Sequence, residues 1–466
     1  MWQADPKEIE TQCNKVFSGA PQTNLVRACK INDGILSFSE SELKKLQQKF
    51  ENQSIKLAFF IPASGSGSRM FQFIHEYNNT KNAEINGQME HFINSLEEFA
   101  FYRQLSPELK KQFQEYNFEV DQLCKYLLES EGLGYVKKPK GLIPFHTLGP
   151  FILNPFQEHL IQGSSFSFLP PSFHFTIQKE FENEFKEVLK STEELHGDTF
   201  EVHFSHQSSS TNSIAFDENR EVLRDKNDQI VTRPSGHGAL LPLLNEVQEE
   251  LIFIKNIDNV QHYSRKEINE QVLATLGGLM NQFREEAKEI FDAPSLSELF
   301  NLNEKYQIID SDQLNTIKGN EAIRAVLNRP IRICGMVRNE GQPGGGPFWI
   351  ENEGVVSKQI IEKSQISHDS QQRSILLKST HFNPVMIAAC PISFTNEKFD
   401  LEQFSDPNAY FVVNKTECGK SIQYIERPGL WNGGMANWIT LFIEIPNESF
   451  TPVKTVLDLL EDAHKA

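Results

Sequence analysis

Leu57-Ala-Phe-Phe-Ile-Pro62 is a short apolar run, and it stops abruptly at Ser64-Gly-Ser-Gly-Ser-Arg69. Its length and its lack of helical spacing predict a buried strand over 56–62. A buried strand that opens into a glycine loop is how open α/β sheets present backbone to a ligand, at the carboxyl ends of their strands. Gly65 and Gly67 permit positive φ and allow backbone N–H groups to approach a ligand closely. A helix expected to begin near Arg69 would add partial positive charge. The loop lacks the Gly-Lys-Ser/Thr ending of a P-loop and the third glycine of a dinucleotide fingerprint. Taken alone, it fits a simple turn equally well.

The remaining pattern supports a sheet. Residues 5–55 read as helical, with Ser39-Glu-Ser-Glu42 spaced as a capping box. Residues 71–131 read as a polar, mostly helical insertion, followed by a basic loop from Val136 to Leu142. From about 170, short strands alternate with helical stretches: SFHFTI, QKEFENEFKEVLKS, TFEVHF, GALLPLLNEVQ and ELIFIKNID. This βαβ rhythm argues for an α/β sheet with parallel strands. Residues 265–325 read as helical, and 331–466 as strands and Gly/Pro-rich loops closing on a helix over KTVLDLLEDAHK.

Composition narrows the function. A chain of 466 residues, 39% of them hydrophobic, can bury a large core in more than one domain. Its formal charge of −18 repels phosphate polymers, so nucleic-acid binding is not expected. A small phosphorylated ligand held by a local group of Lys and Arg remains open. The 36 phenylalanines read as core filler. Six scattered cysteines without a CxxC pair suggest neither a zinc site nor a disulfide framework. The N-terminal stretch carries no secretory pattern, and no apolar run reaches the length of a membrane span. A cytoplasmic protein with no membrane partner is the expectation.

Read from Ala63 to Met70, the glycine loop resembles the A-G-G-x-G-T-R-L loop of sugar-1-phosphate nucleotidyltransferases, departing at Ser64, Ser68 and Met70. Further segments follow in that family's order. Pro139-Lys140-Gly141 resembles its P-K-G element, although Lys140 also fits a solvated loop lysine. Phe204-Ser-His-Gln207 is similar to the F-x-Q segment of uridine-diphosphate-sugar pyrophosphorylases, whose glutamine reads uracil; an amide offers the donor and acceptor an imide requires. Pro234-Ser-Gly-His-Gly-Ala239 looks like P-x-G-H-G-D, with Ala239 in place of the acid. Ile257-Asp258-Asn259, closing an apolar run, resembles the metal-binding aspartate segment, and also fits a turn. The segment Gln359-Ile-Ile-Glu362-Lys-Ser-Gln365 is similar to L-L-E-x-x-Q, and His381-Phe-Asn383 to a sugar-contacting segment. Phe450-Thr-Pro-Val-Lys454 through Leu460 resembles F-x-P-V-K-x-x-x-D-L-L, whose lysine contacts phosphate. Whole-chain features, the PASG-x-x-SRM loop and the WNG-x-MA segment from Trp431 to Ala436, also resemble a bacterial family of unknown function, DUF4301.

The resemblance implies a Rossmann-like nucleotidyltransferase core of the GT-A type. This would be an α/β/α sandwich on a mixed sheet, spanning 56–400, with a helical N-terminal segment at 1–55 and the insertion at 71–131. Residues 401–466 would complete the core. It implies a Mg²⁺-dependent transfer joining a sugar 1-phosphate to a nucleoside triphosphate, UTP if Gln207 reads the base, with release of pyrophosphate. Arg69, Lys140 and Lys454 would act on phosphates and Asp258 would hold Mg²⁺. Ser64, Gly65, Gly67, Ser68, Gln207, Gly236, His237 and Gly238 would bind the nucleotide, with His237 reaching phosphate or sugar. Glu340, Glu362 and Asn383 would contact the sugar. Two alternatives stay open: a nucleotide or nucleotide-sugar binding protein without turnover, favoured by Ser64 and Ala239, and a glycosyltransferase. The WNG segment has no assigned role at this stage, and the oligomeric state is not legible.

Overall fold

The computed structural model describes residues 5–77, 83–166, 169–341, 344–417 and 420–466. The fold is mixed α/β. The chain forms two compact units, each assembled from separate stretches. One comprises Met1–Leu57, Gln207–Ile254 and Leu273–Asn447, the other Ala58–His206, Lys255–Val272 and Glu448–Ala466.

The second unit is organised by parallel strands Leu57–Pro62, Ser172–Thr176 and Glu201–Ser205, paired in that order. The expected strand at 56–62 and the βαβ rhythm after 170 are both present. The crossover helix Glu182–His196 ends on Gly197 at φ 87°, a left-handed stop that suits glycine. Helix Pro155–Ser164 starts with a reciprocal Asn154/Gln157 capping box and Pro155 in its first turn. It packs closely because Gly163 has no Cβ: one would lie 2.7 Å from the Phe173 ring. Phe173 in turn stacks on Phe59 of the neighbouring strand at 5.3 Å.

The insertion at 71–131 is largely helical, as expected, with helices Gln72–Tyr77, Ala83–Asn94, Pro107–Gln114 and Val120–Leu128; residues 78–82 lie outside the described chain. Its apolar faces form one phenylalanine-rich core. Phe101 stacks on Phe99 at 5.0 Å and meets Phe71 and Tyr135 edge-on. The same core contains Met70 and Phe71 beside the glycine loop, Tyr135 and Ile143 flanking the basic loop, and Val453, Val456 and Leu459 from the C-terminal segment. One hydrophobic cluster therefore supports three loops that are far apart in sequence.

The first unit carries a mixed sheet. Strand Ile331–Arg338 pairs parallel with Ile439–Glu444 and antiparallel with Met386–Cys390. Strand Ile439–Glu444 also pairs parallel with Gly34–Leu36. Fully buried Arg332 is tolerated because its guanidinium donates to Thr440 Oγ1, the Trp431 carbonyl and Gln359 Oε1. Helices Glu40–Glu51 and Glu267–Asp292 meet where Gly278 faces the Leu46 carbonyl, a contact that leaves no room for a Cβ.

Three expectations are corrected. Residues 5–55 are not helical throughout: helices Pro6–Ser18 and Glu40–Glu51 flank strands Asn24–Ala28, Lys30–Ile31 and Gly34–Leu36. Asn32 and Gly34 at positive φ (66° and 96°) break any helix there, and Leu25 packs instead with Phe348 and Ile361. The stretch after Gly236 makes only a 3₁₀ turn, Gly236–Leu240, and the short helix Leu241–Leu244. The C-terminal segment is no α-helix but two 3₁₀ turns, Val456–Leu460 and Asp462–His464, separated by extended Glu461. Among the described residues, no helix is long and apolar enough to cross a membrane.

The shared aromatic core gives a stability prediction. Phe101→Ala should cost about 3–5 kcal/mol, the usual loss for an aromatic deleted from a packed core. Urea unfolding followed by tryptophan-independent far-UV dichroism measures it.

Candidate functional site

The strand Leu57–Pro62 runs on through buried Ala63, whose N–H donates to the Thr176 carbonyl at 2.8 Å. The loop that follows is fastened from both sides. Gln178 Nε2 donates to the Ser64 carbonyl at 2.9 Å. Ser66 caps the next turn by accepting from the Ser68 N–H at 3.1 Å. Gly67 N–H donates to the Lys138 carbonyl and Lys140 N–H to the Gly65 carbonyl, both at 2.9 Å. Ser66 faces Pro139 as an antiparallel bridge. The glycine loop and the P-K-G segment, read separately in the sequence, are thus one laced structure.

The expected use of positive φ does not occur, since neither Gly65 nor Gly67 adopts it. A Cβ on Gly67 would collide with Ile143 and approach the Lys138 and Tyr135 carbonyls at 3.1 and 3.2 Å. Gly67 is demanded by the close approach of the two loops. A Cβ on Gly65 would meet no atom within 4 Å, so the fold itself does not require glycine there. Past Gly67 the chain makes a 3₁₀ turn to Phe71 and the six-residue helix Gln72–Tyr77. Arg69 sits in that turn, exposed and without an ion-pair partner among the described residues.

Lys140 turns inward. Its side chain is about 10% exposed, and its Nζ donates to Asp258 Oδ2 at 3.0 Å and to the Val453 carbonyl at 2.8 Å. Lys454 Nζ donates to the same Asp258 Oδ2 at 3.0 Å from the solvent side. Asp258 lies in the turn after strand Leu251–Lys255, and its backbone is stitched to the C-terminal segment. Val453 N–H donates to the Asp258 carbonyl, Thr451 N–H to Asn259 Oδ1, and Gln261 Nε2 to the Glu448 carbonyl. Lys454 is not at a helix start, so a helix dipole does not bear on it. The following turn is capped by Asp458, which accepts from the Lys454 and Thr455 N–H groups.

One carboxylate oxygen is shared by two ammonium groups, with a second carboxylate, Asp458, close enough to favour the charged form of Lys140. Burial alone would raise the Asp258 pKa, but Lys140 and Lys454 outweigh it and hold the carboxyl below its usual range. Burial pulls Lys140 down from its usual value, opposed by Asp258. We assign the pair as ionised, since Lys140 has both a carboxylate and a carbonyl to accept its protons. A neighbour the sequence did not single out is Lys255. It is buried, its ammonium makes no hydrogen bond or ion pair among the described residues, and burial pushes it down to about 8. Its only sequence signal is a charge inside an apolar run.

A second cluster lies in the first unit. Gly236 has φ 66°, and a Cβ there would lie 2.6 Å from Glu426 Oε2. Gly238 faces the Pro428 carbonyl, so both glycines accommodate this chain's own segment 426–428. Between them His237 stacks on Trp431 with ring centroids 4.4 Å apart. Its Nδ1 accepts from the Leu430 N–H at 3.1 Å, which leaves the proton on Nε2, 3.8 Å from Glu362 Oε1. Burial pushes His237 down to about 4, so the ring is neutral. Asn432 Nδ2 donates to Glu362 Oε1 at 3.1 Å and to Gln365 Oε1 at 3.4 Å. Ala239 is buried, and an aspartate there would bury a charge.

Gln207 is half-buried, and its amide makes no hydrogen bond among the described residues. Glu340 is exposed just past strand Ile331–Arg338. Asn383 is buried in a turn, accepting from the Val385 N–H at 3.0 Å, while its Nδ2 has no partner among the described residues. The structure thus gathers Ser64, Gly65, Gly67, Ser68 and Lys140 into one laced loop pair and Lys140, Asp258 and Lys454 into one charged cluster. In the other unit it gathers Gly236, His237, Gly238 and Glu362.

A mixed α/β protein with a lysine–aspartate–lysine cluster, buried at Lys140 and Asp258 and open to solvent at Lys454, beside a laced glycine loop is the class these features define. The chain belongs to the family described as a domain of unknown function (DUF4301), whose model matches residues 2–465. No curated protein matches the chain. Among solved structures it is similar to the uridine diphosphate N-acetylglucosamine pyrophosphorylase of Trypanosoma brucei, with 12% identity, 93% of this chain and 72% of that chain covered, and a TM-score of 0.49. It is also similar to an Entamoeba histolytica protein described as a UDP-N-acetylglucosamine pyrophosphorylase, with 12% identity, coverage of 91% and 83%, and a TM-score of 0.47. The UDP-glucose phosphorylase of Trypanosoma brucei gives 12% identity, coverage of 94% and 69%, and a TM-score of 0.40.

Two predictions follow from the charged cluster and the loop. Asp258→Asn leaves buried Lys140 with a carbonyl but no counter-charge, which should destabilise the protein by about 3–5 kcal/mol at pH 7. Because the folded carboxyl is depressed, its contribution is complete above the unfolded value of about 3.9 and fades as pH falls through the lower folded value. The gap between variant and wild type in urea unfolding should therefore narrow only in acid. For the loop, Gly67→Ala should lower the melting temperature, whereas Gly65→Ala should leave it within a degree or so of wild type.

Proposed function

We propose that this chain is a nucleotidyltransferase that joins a sugar 1-phosphate to a nucleoside triphosphate and releases pyrophosphate. The observation that carries the reading is the convergence of Lys140, Asp258 and Lys454 on one carboxylate oxygen, although they stand far apart in sequence. The ordered series of segments resembling uridine-diphosphate-sugar pyrophosphorylases supports it, as does the lacing of the two segments expected to hold phosphate. We further propose the Rossmann-like, GT-A type of core for the fold, UTP as the nucleotide and the cytoplasm as the compartment.

In this reading a sugar-phosphate oxygen, already deprotonated at neutral pH, attacks the α-phosphorus. The bond from that phosphorus to the bridging oxygen breaks, and pyrophosphate leaves. No covalent intermediate and no general base are needed. Catalysis rests on holding two polyanions in line and offsetting their charge. Lys140 and Lys454 would exchange part of their contact with Asp258 for phosphate oxygens, and exposed Arg69 would add a third cation. Gly65, with open space where a Cβ would be, would let backbone N–H groups approach the phosphates. The unengaged Gln207 amide would pair with the uracil edge. The residues present fit a Mg²⁺ ion that arrives with the triphosphate. Asp258 Oδ1 takes no hydrogen bond among the described residues, and one protein carboxylate suffices when phosphates and water complete the octahedron. Such an ion would supply charge neutralisation at the α-phosphate.

The test is a melting-temperature screen with nucleoside triphosphates, with and without Mg²⁺, followed by pyrophosphate exchange. A Mg²⁺-dependent rise with UTP is expected, since a ligand that binds only the folded state stabilises it by mass action. Lys140→Ala should lower exchange by at least about a hundredfold. Near wild-type exchange in Lys140→Ala and Lys454→Ala would rule out the assignment. A shift without exchange would support a nucleotide-binding protein without turnover.

A further inference from the structure

A group of buried side chains in the second unit takes no part in the proposed phosphate chemistry. Glu158 is fully buried, and its Oε1 accepts from His146 Nδ1–H at 2.7 Å. His146 Nε2 meets His464 Nδ1 at 2.9 Å. Burial, with His146 beside it, pushes His464 down to about 3, so its ring is neutral. A single proton therefore lies between the two rings, and their contact is a hydrogen bond rather than a repulsion. At the other end, Gln162 Nε2 donates to Glu158 Oε2 and to the Gln261 carbonyl, both at 2.8 Å. The chain runs unbroken from Gln261, in the segment that presents Asp258, to His464, in the segment that presents Lys454. His262 adds a parallel link. Its backbone N–H donates to the Ala463 carbonyl at 3.0 Å, and its Nε2–H to the Thr147 carbonyl at 2.9 Å.

Bonded turns connect His464 back to Lys454. His464 N–H donates to the Glu461 carbonyl, Glu461 N–H to the Asp458 carbonyl, and Asp458 Oδ2 accepts from the Lys454 N–H. Lys454 thus stands between two fastened stretches, with Val453 bonded to Asp258 on its other side. Val456 and Leu459 anchor the same turns in the aromatic core, but apolar contact is non-directional. We propose that His146 and His464 are positioning residues for Lys454: the chain from Gln261 to His464 sets the register of one segment against the other, so that Lys454 reaches the Asp258 oxygen that Lys140 also uses. A buried carboxylate with imidazole partners adds little net stability, but its donors and acceptors match in one alignment only. Neither histidine touches substrate. The placement of Lys454 is independent of what binds, and its effect on a bound triphosphate rests on the functional reading above.

The experiment compares the whole chain with His464→Leu and His464→Asn. Leucine fills the space without a polar atom, whereas asparagine places an amide where Nδ1 stood and can donate or accept. The first readout is acetylation of Lys454 by trace acetic anhydride, measured by mass spectrometry against exposed Lys190 in the same sample. Lys454 is 58% exposed and must break its bond to Asp258 to react, so release from Asp258 speeds the reaction. His464→Leu should raise its relative rate about fivefold and His464→Asn should stay within about twofold of wild type. An unchanged rate in His464→Leu overturns the proposal. So does an equal rise at Lys454 and at buried Lys255, because that marks general loosening. If His464→Leu does not fold, Gln162→Met decides by the same readout, since it severs the chain at its other end and keeps every histidine. The second readout is affinity for UTP with Mg²⁺ by isothermal titration. His464→Leu should weaken it about tenfold, with no further loss when combined with Lys454→Ala. Additive losses overturn the proposal. A wild type that does not bind UTP refutes the functional reading instead, and the acetylation rates then decide the placement of Lys454 alone.

Discussion

Asp258 is the residue on which the second unit's charged chemistry depends. A lysine as deeply placed as Lys140 can stay charged only if its protons are accepted, and Asp258 Oδ2 and the Val453 carbonyl accept them. The second lysine, Lys454, binds the same oxygen, and Asp458 accepts from the Lys454 backbone N–H beside it. This arrangement is poor as a stability device, because removing charges from water costs nearly what their attraction returns. It makes sense as a poised site. An arriving phosphate can take over the lysine contacts, and the carboxylate is then available to a cation that accompanies it.

Backbone, rather than side chains, brings these groups together. Lys140 is placed by the ladder between its loop and the glycine loop, Asp258 and Lys454 by the bonds between 258–262 and 448–453. The phenylalanine-rich core beneath fixes all of these segments at once, since it includes Phe71, Tyr135, Ile143 and Val453. This gives the helical insertion a physical purpose independent of any lid motion: it supplies the floor under the loops. Phe71, Phe73, Phe92, Phe99, Phe101 and Phe145 are buried in it, which fits the reading of phenylalanine as core filler.

Much of this was legible because it was local. The strand at 57–62, the Ser39 capping box and the helices after 265 follow from short-range pattern. Lys140, Asp258 and Lys454 were each singled out by a short motif, yet their meeting at one oxygen was not, because nothing local encodes a contact across hundreds of residues. Pattern failed where tertiary contacts override propensity. Leu25 and Ile35 lie in strands because buried partners await them, and KTVLDLLEDAHK forms 3₁₀ turns although its residues are good helix formers. Gly67 was read as a site of positive φ and close approach to a ligand, whereas its φ is ordinary and a Cβ there would collide with the facing loop. His237 was placed near phosphate or sugar by its motif. Only burial and the Leu430 N–H show that it is a neutral donor.

The two clusters differ in the charge they carry. A chain of formal charge −18 has little general attraction for a phosphorylated ligand, so affinity must come from a few cations held close together. On the proposed reading the lysine pair would provide this, and the same unit holds Lys255, whose ammonium has no hydrogen-bond or ion-pair partner among the described residues. The cluster of His237, Glu362, Glu426 and Asn432 is built differently: a neutral imidazole and two carboxylates, with no cation bonded to either carboxylate among the described residues, and one of those carboxylates held by the Asn432 amide.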